Sequence, residues 1–466
     1  MLTVEDLVRQ NPWWTAGEAA LKTDQFLQEL EKQRFVYDFG AEPKGGINVF
    51  RGPRQVGKTT WLRCLIKEHL AKTKEPLGVF FYSCDLVQKP AELADILNQY
   101  YRQADMSGIK NHAILLDEVT SILEWGDALK HLANIRNVKN DLFVITGSSA
   151  IDLRKGAERL PGRGIEGRES EFLPLPFGEY LGLVKNTQLQ KQSPEGFFEN
   201  GEVRKSLLKD LSMSFLNLGL LNDGLSQYMK TGGFLKAINS ISQNRIEEAV
   251  FETYARWIES DISKADRNSI FAKQVAAALL SCGSSAFSFS TIAKKTSLQT
   301  HVSAGEYVAL FEDMMLLNVL NKIDRSKKQA AYRKEKKIYF RDPFIAEVVR
   351  KWTSYNGDIS ESVVVEQVVL EHLSRLFGKT RVFFYNDGKR EVDAIVLTQK
   401  NELLPIEVKW SDDLSGSDFE GLYSFGRGIM LTKSRFEIHK DRYLVMPVSL
   451  FLAVLDIKPL IKVKLV

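Results

Sequence analysis

An apolar run, Ile47–Arg51, passes directly into Gly52-Pro53-Arg54-Gln55-Val56-Gly57-Lys58-Thr59, and a helical stretch over Thr60–Ala71 follows. No other feature of the chain constrains its fold so tightly. A Gly-x-x-x-x-Gly-Lys-Thr octet between a strand and a helix predicts a loop whose backbone N–H groups, from Gly52 to Thr60, curl around a phosphate. The helix N-terminus adds partial positive charge at the same place. Lys58 is long enough to reach the β- and γ-phosphates of a nucleotide, and the Thr59 hydroxyl is a ligand for Mg²⁺. ATP with Mg²⁺ is therefore the expected ligand pair.

The pattern around the octet supports this reading. Gly78–Cys84 is a second apolar strand and ends in Asp85; helical residues Ala91–Tyr101 follow. Ala113–Leu116 is a third strand, ending in Asp117-Glu118, and a helix around Glu124–Ala133 comes next. The fourth strand, Leu142–Ile145, ends in Thr146-Gly147-Ser148-Ser149. Short buried strands alternating with helices predict a parallel sheet with crossover helices, an α/β P-loop fold. Asp117, at a strand end, is expected beside Thr59 at the metal, with Glu118 placed to polarise an attacking water. Ser148 resembles a sensor residue that contacts the γ-phosphate or the water; ordinary turn chemistry is the competing reading. Arg154, Arg159, Arg163 and Arg168 follow in a polar stretch. Arg163 is the first choice for an arginine that reaches a neighbouring subunit's γ-phosphate, which implies a homo-oligomer. Pairing with local acids such as Glu158 and Glu169 is the plainer alternative.

Leu142-Phe-Val-Ile-Thr-Gly-Ser-Ser149, Leu160-Pro-Gly-Arg163, Leu173-Pro-Leu-Pro-Phe-Gly-Glu-Tyr180 and Thr231-Gly-Gly-Phe234 together resemble a prokaryotic AAA+-related ATPase family. The resemblance covers nearly the whole chain. It implies an ATPase followed by a winged helix and a C-terminal PD-(D/E)XK nuclease-like domain. It implies the boundaries 1–176 for the ATPase, 177–265 for a helical lid, 266–350 for the winged helix and 351–466 for the nuclease-like domain. The polar insert near Lys185–Asn200 is longer than the family pattern, and no second sensor arginine stands out in it.

Beyond residue 265 two further chemistries are written in the sequence. Ser290–Ser297, a turn and the amphipathic stretch Val302–Leu316 have helix-turn-helix spacing. The following segment, Lys322–Lys337, holds eight basic and two acidic residues, a net charge of +6, and carries Tyr332. A hairpin of that charge suits contact with DNA phosphates. The second helix carries Glu306, Glu312 and Asp313 and no Lys or Arg, so it is poorly equipped to read base edges. Further on, Arg381–Asn386, Glu391–Leu397 and Leu403–Lys409 read as strands, and Val364–Leu376 as a helix. Period-two alternation places Glu407 and Lys409 on one face, and a hairpin brings Asp393 across to it. Glu366 from the helix is a further carboxylate. Glu366…Asp393…Glu407-x-Lys409 resembles the PD-(D/E)XK core, in which carboxylates hold Mg²⁺ and the lysine orients water. A Lys–Glu ion pair on a half-exposed hairpin is the competing reading.

Composition excludes the remaining classes. Lys and Arg total 63 against 59 acids in 466 residues, a net +4 too mild to mark the whole chain as a nucleic-acid binder. Three scattered cysteines exclude a zinc ribbon or disulfide framework, and the six histidines form no Ser-His-Asp or Cys-His constellation. His112 and His131 are expected to be structural. Met1–Gln10 has no apolar core, and the longest apolar stretch, Tyr443–Leu455, spans 13 residues with Pro447 and Ser449 inside it. It is too short to cross a bilayer, so a cytoplasmic location is expected. Trp13 and Trp14 either stack on adenine or staple the N-terminal segment to the core. The expected activity is ATP hydrolysis that gates a DNA-bound state. The rivals are a nucleotide-dependent protein-interaction switch with an inactive nuclease-like module, and an ATP-regulated Mg²⁺ nuclease.

Overall fold

A computed structural model describes residues 4–38, 43, 45–136, 138, 140–148, 168–242, 245–460 and 462–465. The chain forms two compact units: Met1–Leu173 with Asp313–Met315 and Pro459–Val466, and Pro174–Glu312 with Leu316–Lys458.

The first unit is built on five parallel strands: β1 (Gly46–Arg51), β2 (Val79–Ser83), β3 (Ala113–Asp117), β4 (Leu142–Gly147) and β5 (Arg168–Glu171). Their order across the sheet is β2-β3-β4-β1-β5. Strand β4 thus separates β1, which feeds the phosphate loop, from β3, which carries the acidic pair. All five residues of β3 are buried, as its unbroken apolar run requires of a sheet covered on both faces. Helices α1 (Lys58–Thr73), α2 (Pro90–Met106) and α3 (Trp125–Ile135) make the crossovers. In α2 the buried Leu93, Leu97, Tyr100, Tyr101 and Ala104 recur at helical spacing and form one face.

Strand β2 lies at a sheet edge, and the N-terminal segment covers it. The Asn11 side chain donates to the Phe81 carbonyl (3.0 Å) and accepts from the Phe81 N–H (2.7 Å), copying a ladder pair. Gln10 accepts from Ser83 N–H at 2.8 Å. The Trp13 and Trp14 indoles both donate to the Val79 carbonyl at 2.9 Å, and Trp13 is fully buried. The pair is a staple that closes an otherwise open strand edge.

The second unit opens with helices α4 (Phe177–Val184), α5 (Leu218–Thr231) and α6 (Glu248–Lys264). Then come α7 (Ser269–Cys282), α8 (Phe289–Lys294) and α9 (His301–Asp313). Strand β6 (Leu317–Asn321) leads through a hairpin, β7 (Ile323–Asp324) and β8 (Gln329–Ala330), to β9 (Lys336–Phe340), which pairs antiparallel with β6. Helices α10 (Pro343–Trp352) and α11 (Glu361–Phe377) precede a mixed sheet. Its strands are β10 (Val382–Asn386), β11 (Glu391–Leu397), β12 (Leu403–Val408), β13 (Gly428–Thr432), β14 (Glu437–His439) and β15 (Tyr443–Pro447). The order is β10-β11-β12-β13-β15-β14, with β12, β13 and β15 parallel and the others antiparallel.

The Thr231-Gly232-Gly233 signature is a steric requirement of this unit. A Cβ on Gly232 would lie 1.7 Å from Asp342 Oδ1, and one on Gly233 would lie 2.1 Å from the Leu175 carbonyl. The closeness lets Asp342 accept from the Gly233 N–H (2.8 Å) while it caps α10 through Phe344 N–H (2.9 Å).

Candidate functional site

The phosphate loop is shaped by close backbone approach. The Phe172 N–H donates to the Arg51 carbonyl at 2.7 Å, and a Cβ on Gly52 would lie 2.2 Å from the Phe172 oxygen. Only glycine fits there. Gln55 and Gly57 adopt positive φ (61° and 105°), which turns the chain into α1. Pro53, Arg54, Val56 and Thr60 complete the loop and first helical turn. Lys58 is buried, with 4% of its surface exposed, and its ammonium is satisfied by the carbonyls of Gly52 (2.8 Å) and Pro53 (3.0 Å). It also lies 3.8 Å from the Glu118 carboxylate.

Asp117 emerges from β3 into this loop. Its Oδ2 accepts from the Thr59 hydroxyl at 2.6 Å, and its Oδ1 accepts from the Thr146 hydroxyl. Thr146 accepts in turn from the Glu118 N–H at 3.3 Å. Burial, with the Glu118 charge beside it, pushes the Asp117 carboxyl above the usual range; the two hydroxyls and Lys58 oppose that rise. Glu118 itself sits at φ 51°, the left-handed region that costs a non-glycine residue ~1 kcal/mol or more. That conformation turns its carboxylate toward Lys58. Ser148 follows β4, and its N–H donates to the Thr120 hydroxyl at 3.4 Å.

The first unit thus brings together Gly52, Gly57, Lys58, Thr59, Asp117 and Glu118 as the octet and acidic pair predict. Thr146 is an addition. It stood in the sequence as one more β-branched residue in an apolar strand. Arg154, Arg159 and Arg163 lie outside the described residues, and Arg168 opens β5.

In the second unit Glu366 (on α11), Asp393 (on β11) and Glu407 (on β12) converge, as the hairpin argument predicts. Asp393 Oδ2 accepts from Val408 N–H at 3.0 Å, and Glu407 Oε2 accepts from Asp393 N–H at 3.4 Å. Two expectations are corrected. Lys409 lies past the end of β12 and its ammonium pairs with Asp418 at 2.7 Å, with the charges of Glu407 and Asp393 acting on it as well. Lys337, counted in the basic hairpin, is 2% exposed and lies among the carboxylates, so it is withdrawn from any DNA surface. β9 is buried from Lys337 onward, so Lys337 lies inside while Lys336, half-buried, bonds back to the hairpin carbonyls. Among the described residues no group of three or more His, Cys, Asp or Glu is arranged to hold a metal ion. His112 is structural: its ring is buried between Tyr100 (3.1 Å) and Tyr101.

The hairpin itself is exposed. Arg325, Lys327, Lys328, Arg333 and Lys334 all lie at the surface, and Tyr332 is 75% exposed. On α9, Glu306 pairs with Arg267 at 2.9 Å and Glu312 with Lys379 at 3.4 Å.

Residues 44–181 match the family model described as AAA domain. Residues 222–356 and 362–451 match two families, each described as a domain of unknown function (DUF8612 and DUF4143). No curated protein matches the sequence. A Walker-type ATPase of Pyrococcus abyssi is similar at 14% identity and TM-score 0.36, over 74% of this chain and 97% of its own. The Orc1 protein of Aeropyrum pernix, solved in complex with DNA, is similar at 15% and 0.30, over 72% and 92%. Cdc6p of Pyrobaculum aerophilum is similar at 11% and 0.24, over 73% and 94%. Likeness this loose says nothing of activity. The AAA match and the loop geometry together make the first unit an AAA-related P-loop ATPase domain. No helix among the described residues is long and apolar enough to cross a membrane.

Proposed function

We propose that this chain hydrolyses ATP at the loop of its first unit, and that turnover gates a DNA-bound state of its second. The observation that carries the first half is the linked set Thr59–Asp117–Thr146–Glu118, hydrogen-bonded in series beside Lys58. Gly52 to Thr60 would cradle the phosphates, with Lys58 gripping the β- and γ-oxygens. Thr59 and Asp117 present adjacent hard oxygen donors, the chemistry that suits Mg²⁺; a bound Mg²⁺ would neutralise phosphate charge there. Glu118 is assigned the task of orienting and deprotonating the attacking water, and Thr146 that of holding both acids in place. Ser148 and Arg163 are assigned to γ-phosphate contact, Arg163 from a neighbouring copy in a homo-oligomer. On this reading 1–176 is the ATPase domain, 177–265 the lid, 266–350 a winged helix and 351–466 a PD-(D/E)XK nuclease-like domain, in a cytoplasmic protein.

The exposed cations of the hairpin, with Tyr332 among them, support DNA contact. Glu306 and Glu312 of α9 are engaged in ion pairs and the helix carries no Lys or Arg, so backbone contact is favoured over sequence readout. The same acidic helix favours a second reading, a nucleotide-dependent protein-interaction switch. ATP turnover measured with and without duplex, single-stranded and branched DNA separates the two. Stimulation by any of these DNAs is expected on the first reading. No stimulation and no DNA binding would leave the interaction switch.

A further inference from the structure

The metal expected among the C-terminal carboxylates and the residues actually found there disagree. Lys337 enters the cluster from β9, the strand that follows the basic hairpin. Its ammonium lies 2.7 Å from Glu391 Oε1, 3.3 Å from Glu366 Oε1 and 3.3 Å from Asp393 Oδ1. The Lys337 side chain is 3% exposed, and those of Glu366 and Asp393 are 10% and 12%. Phe384 closes one side, its ring centroid 5.7 Å from the ammonium. Three elements, α11, β9 and β11, thus meet on one cation.

We propose that the Lys337 ammonium is the resident cation of this cluster, standing where a divalent metal ion would otherwise be held, so that the carboxylates are closed to metal while β9 is docked. Burial disfavours the charge on Lys337, but Asp393, Glu366 and Glu391 outweigh it and hold the lysine protonated. The same crowding of carboxylates in a buried place raises Glu366, to about 8, and Glu407. Lys409 pairs with Asp418 at 2.7 Å and feels the charges of Glu407 and Asp393 from the surface, whereas Lys337 lies buried among the carboxylates.

The arrangement also couples two features of the second unit. Lys337 follows the hairpin directly, and Lys322 at the hairpin's other end bridges to Phe384 on β10. Pulling the hairpin away would withdraw the ammonium and leave Glu366, Asp393, Glu407 and Glu391 uncompensated. A divalent cation is the ligand class such a set then attracts. The proposal stands apart from the ATPase reading, because every residue in it belongs to the second unit.

The test uses the full chain without nucleotide. Mn²⁺ binding is followed by electron paramagnetic resonance for the wild type, Asp393→Asn, Lys337→Met and the Lys337→Met/Asp393→Asn double variant. Wild type and Asp393→Asn should take up Mn²⁺ alike. Mn²⁺ taken up by the wild type and lost in Asp393→Asn would overturn the proposal. Lys337→Met should melt at lower temperature than the wild type and gain a Mn²⁺ site that the double variant lacks. A folded Lys337→Met with no added Mn²⁺ site would also overturn it. Should Lys337→Met fail to fold, the comparison of wild type with Asp393→Asn still decides.

Discussion

Thr146 places one hydroxyl between both acids of the proposed ATP site. It donates to Asp117 and accepts from the Glu118 backbone, so both acids depend on it for orientation. Thr146→Val keeps the shape and the β-propensity and removes the hydroxyl. The loss of one hydrogen bond to a buried carboxylate costs ~1–3 kcal/mol, which corresponds to a ~5–150-fold fall if it is felt in the transition state. Steady-state kinetics should show the fall in kcat, with ATP affinity changed far less. An equal loss in affinity would mean that Thr146 acts on binding instead. Lys58, Thr59, Asp117 and Glu118 were legible from sequence because their chemistry is contiguous: an octet after one strand and a pair at the end of another. Thr146 was not, because a threonine in a strand is ordinary until the fold places it beside two acids. Lys337 was hidden differently. It stood in a run of cations, and only the burial of β9 from that residue onward separates it from its neighbours.

At the scale of elements, the hairpin and the N-terminal segment behave oppositely. The segment carrying Trp13 and Trp14 is consumed in closing the β2 edge, which settles in favour of packing a choice that the sequence left open. The hairpin instead leaves Lys327, Arg333 and Lys334 exposed, while Lys328 donates to the Asn401 carbonyl and Arg325 to that of Ser424. Replacing Lys327, Lys328, Arg333 and Lys334 by Ala should weaken DNA binding for all sequences alike. Each phosphate that is no longer neutralised flattens the slope of log K against log salt by ~0.9. Fluorescence anisotropy across a salt series measures both. An unchanged affinity and slope would remove the hairpin from the DNA reading. Lys337 is left out of this set because it is buried. The alternation of strands and helices in the first unit was readable because buried parallel strands are short, continuous and apolar. The position of β4 between β1 and β3 was not readable, since strand order depends on crossovers that no local pattern records.

Across the whole molecule, the two units carry different kinds of buried polar chemistry. In the first it serves the phosphate loop. In the second it ties helix to helix. His372 on α11 is fully buried, donates from Nδ1 to the Val368 carbonyl (2.7 Å) and accepts the Phe177 N–H at Nε2 (2.9 Å). Burial, with Arg375 nearby, pushes its pKa down to about 3. A depressed histidine contributes stability above its unfolded value, ~6.5, and loses it as pH falls toward the folded value. Asp342 and Glu366, raised to about 7 and about 8, work the other way and lose their contribution as pH rises. The His372 share is therefore isolated by difference. The stability advantage of wild type over His372→Gln, from urea titrations, should shrink by ~1.4 kcal/mol per pH unit between about 6.5 and 4. A difference that does not change with pH would show that His372 titrates freely in the folded chain.

The central claim is that the loop of the first unit hydrolyses ATP with Glu118 as the residue that activates water. The direct measurement compares wild type and Glu118→Gln for ATP binding and for turnover in the same buffer with Mg²⁺. Gln keeps the size of the side chain and removes the carboxylate. Loss of a general base lowers the rate by ~10²–10⁴-fold. Glu118→Gln should bind ATP as the wild type does and release phosphate at least ~100-fold more slowly. Turnover by Glu118→Gln at the wild-type rate would contradict the account.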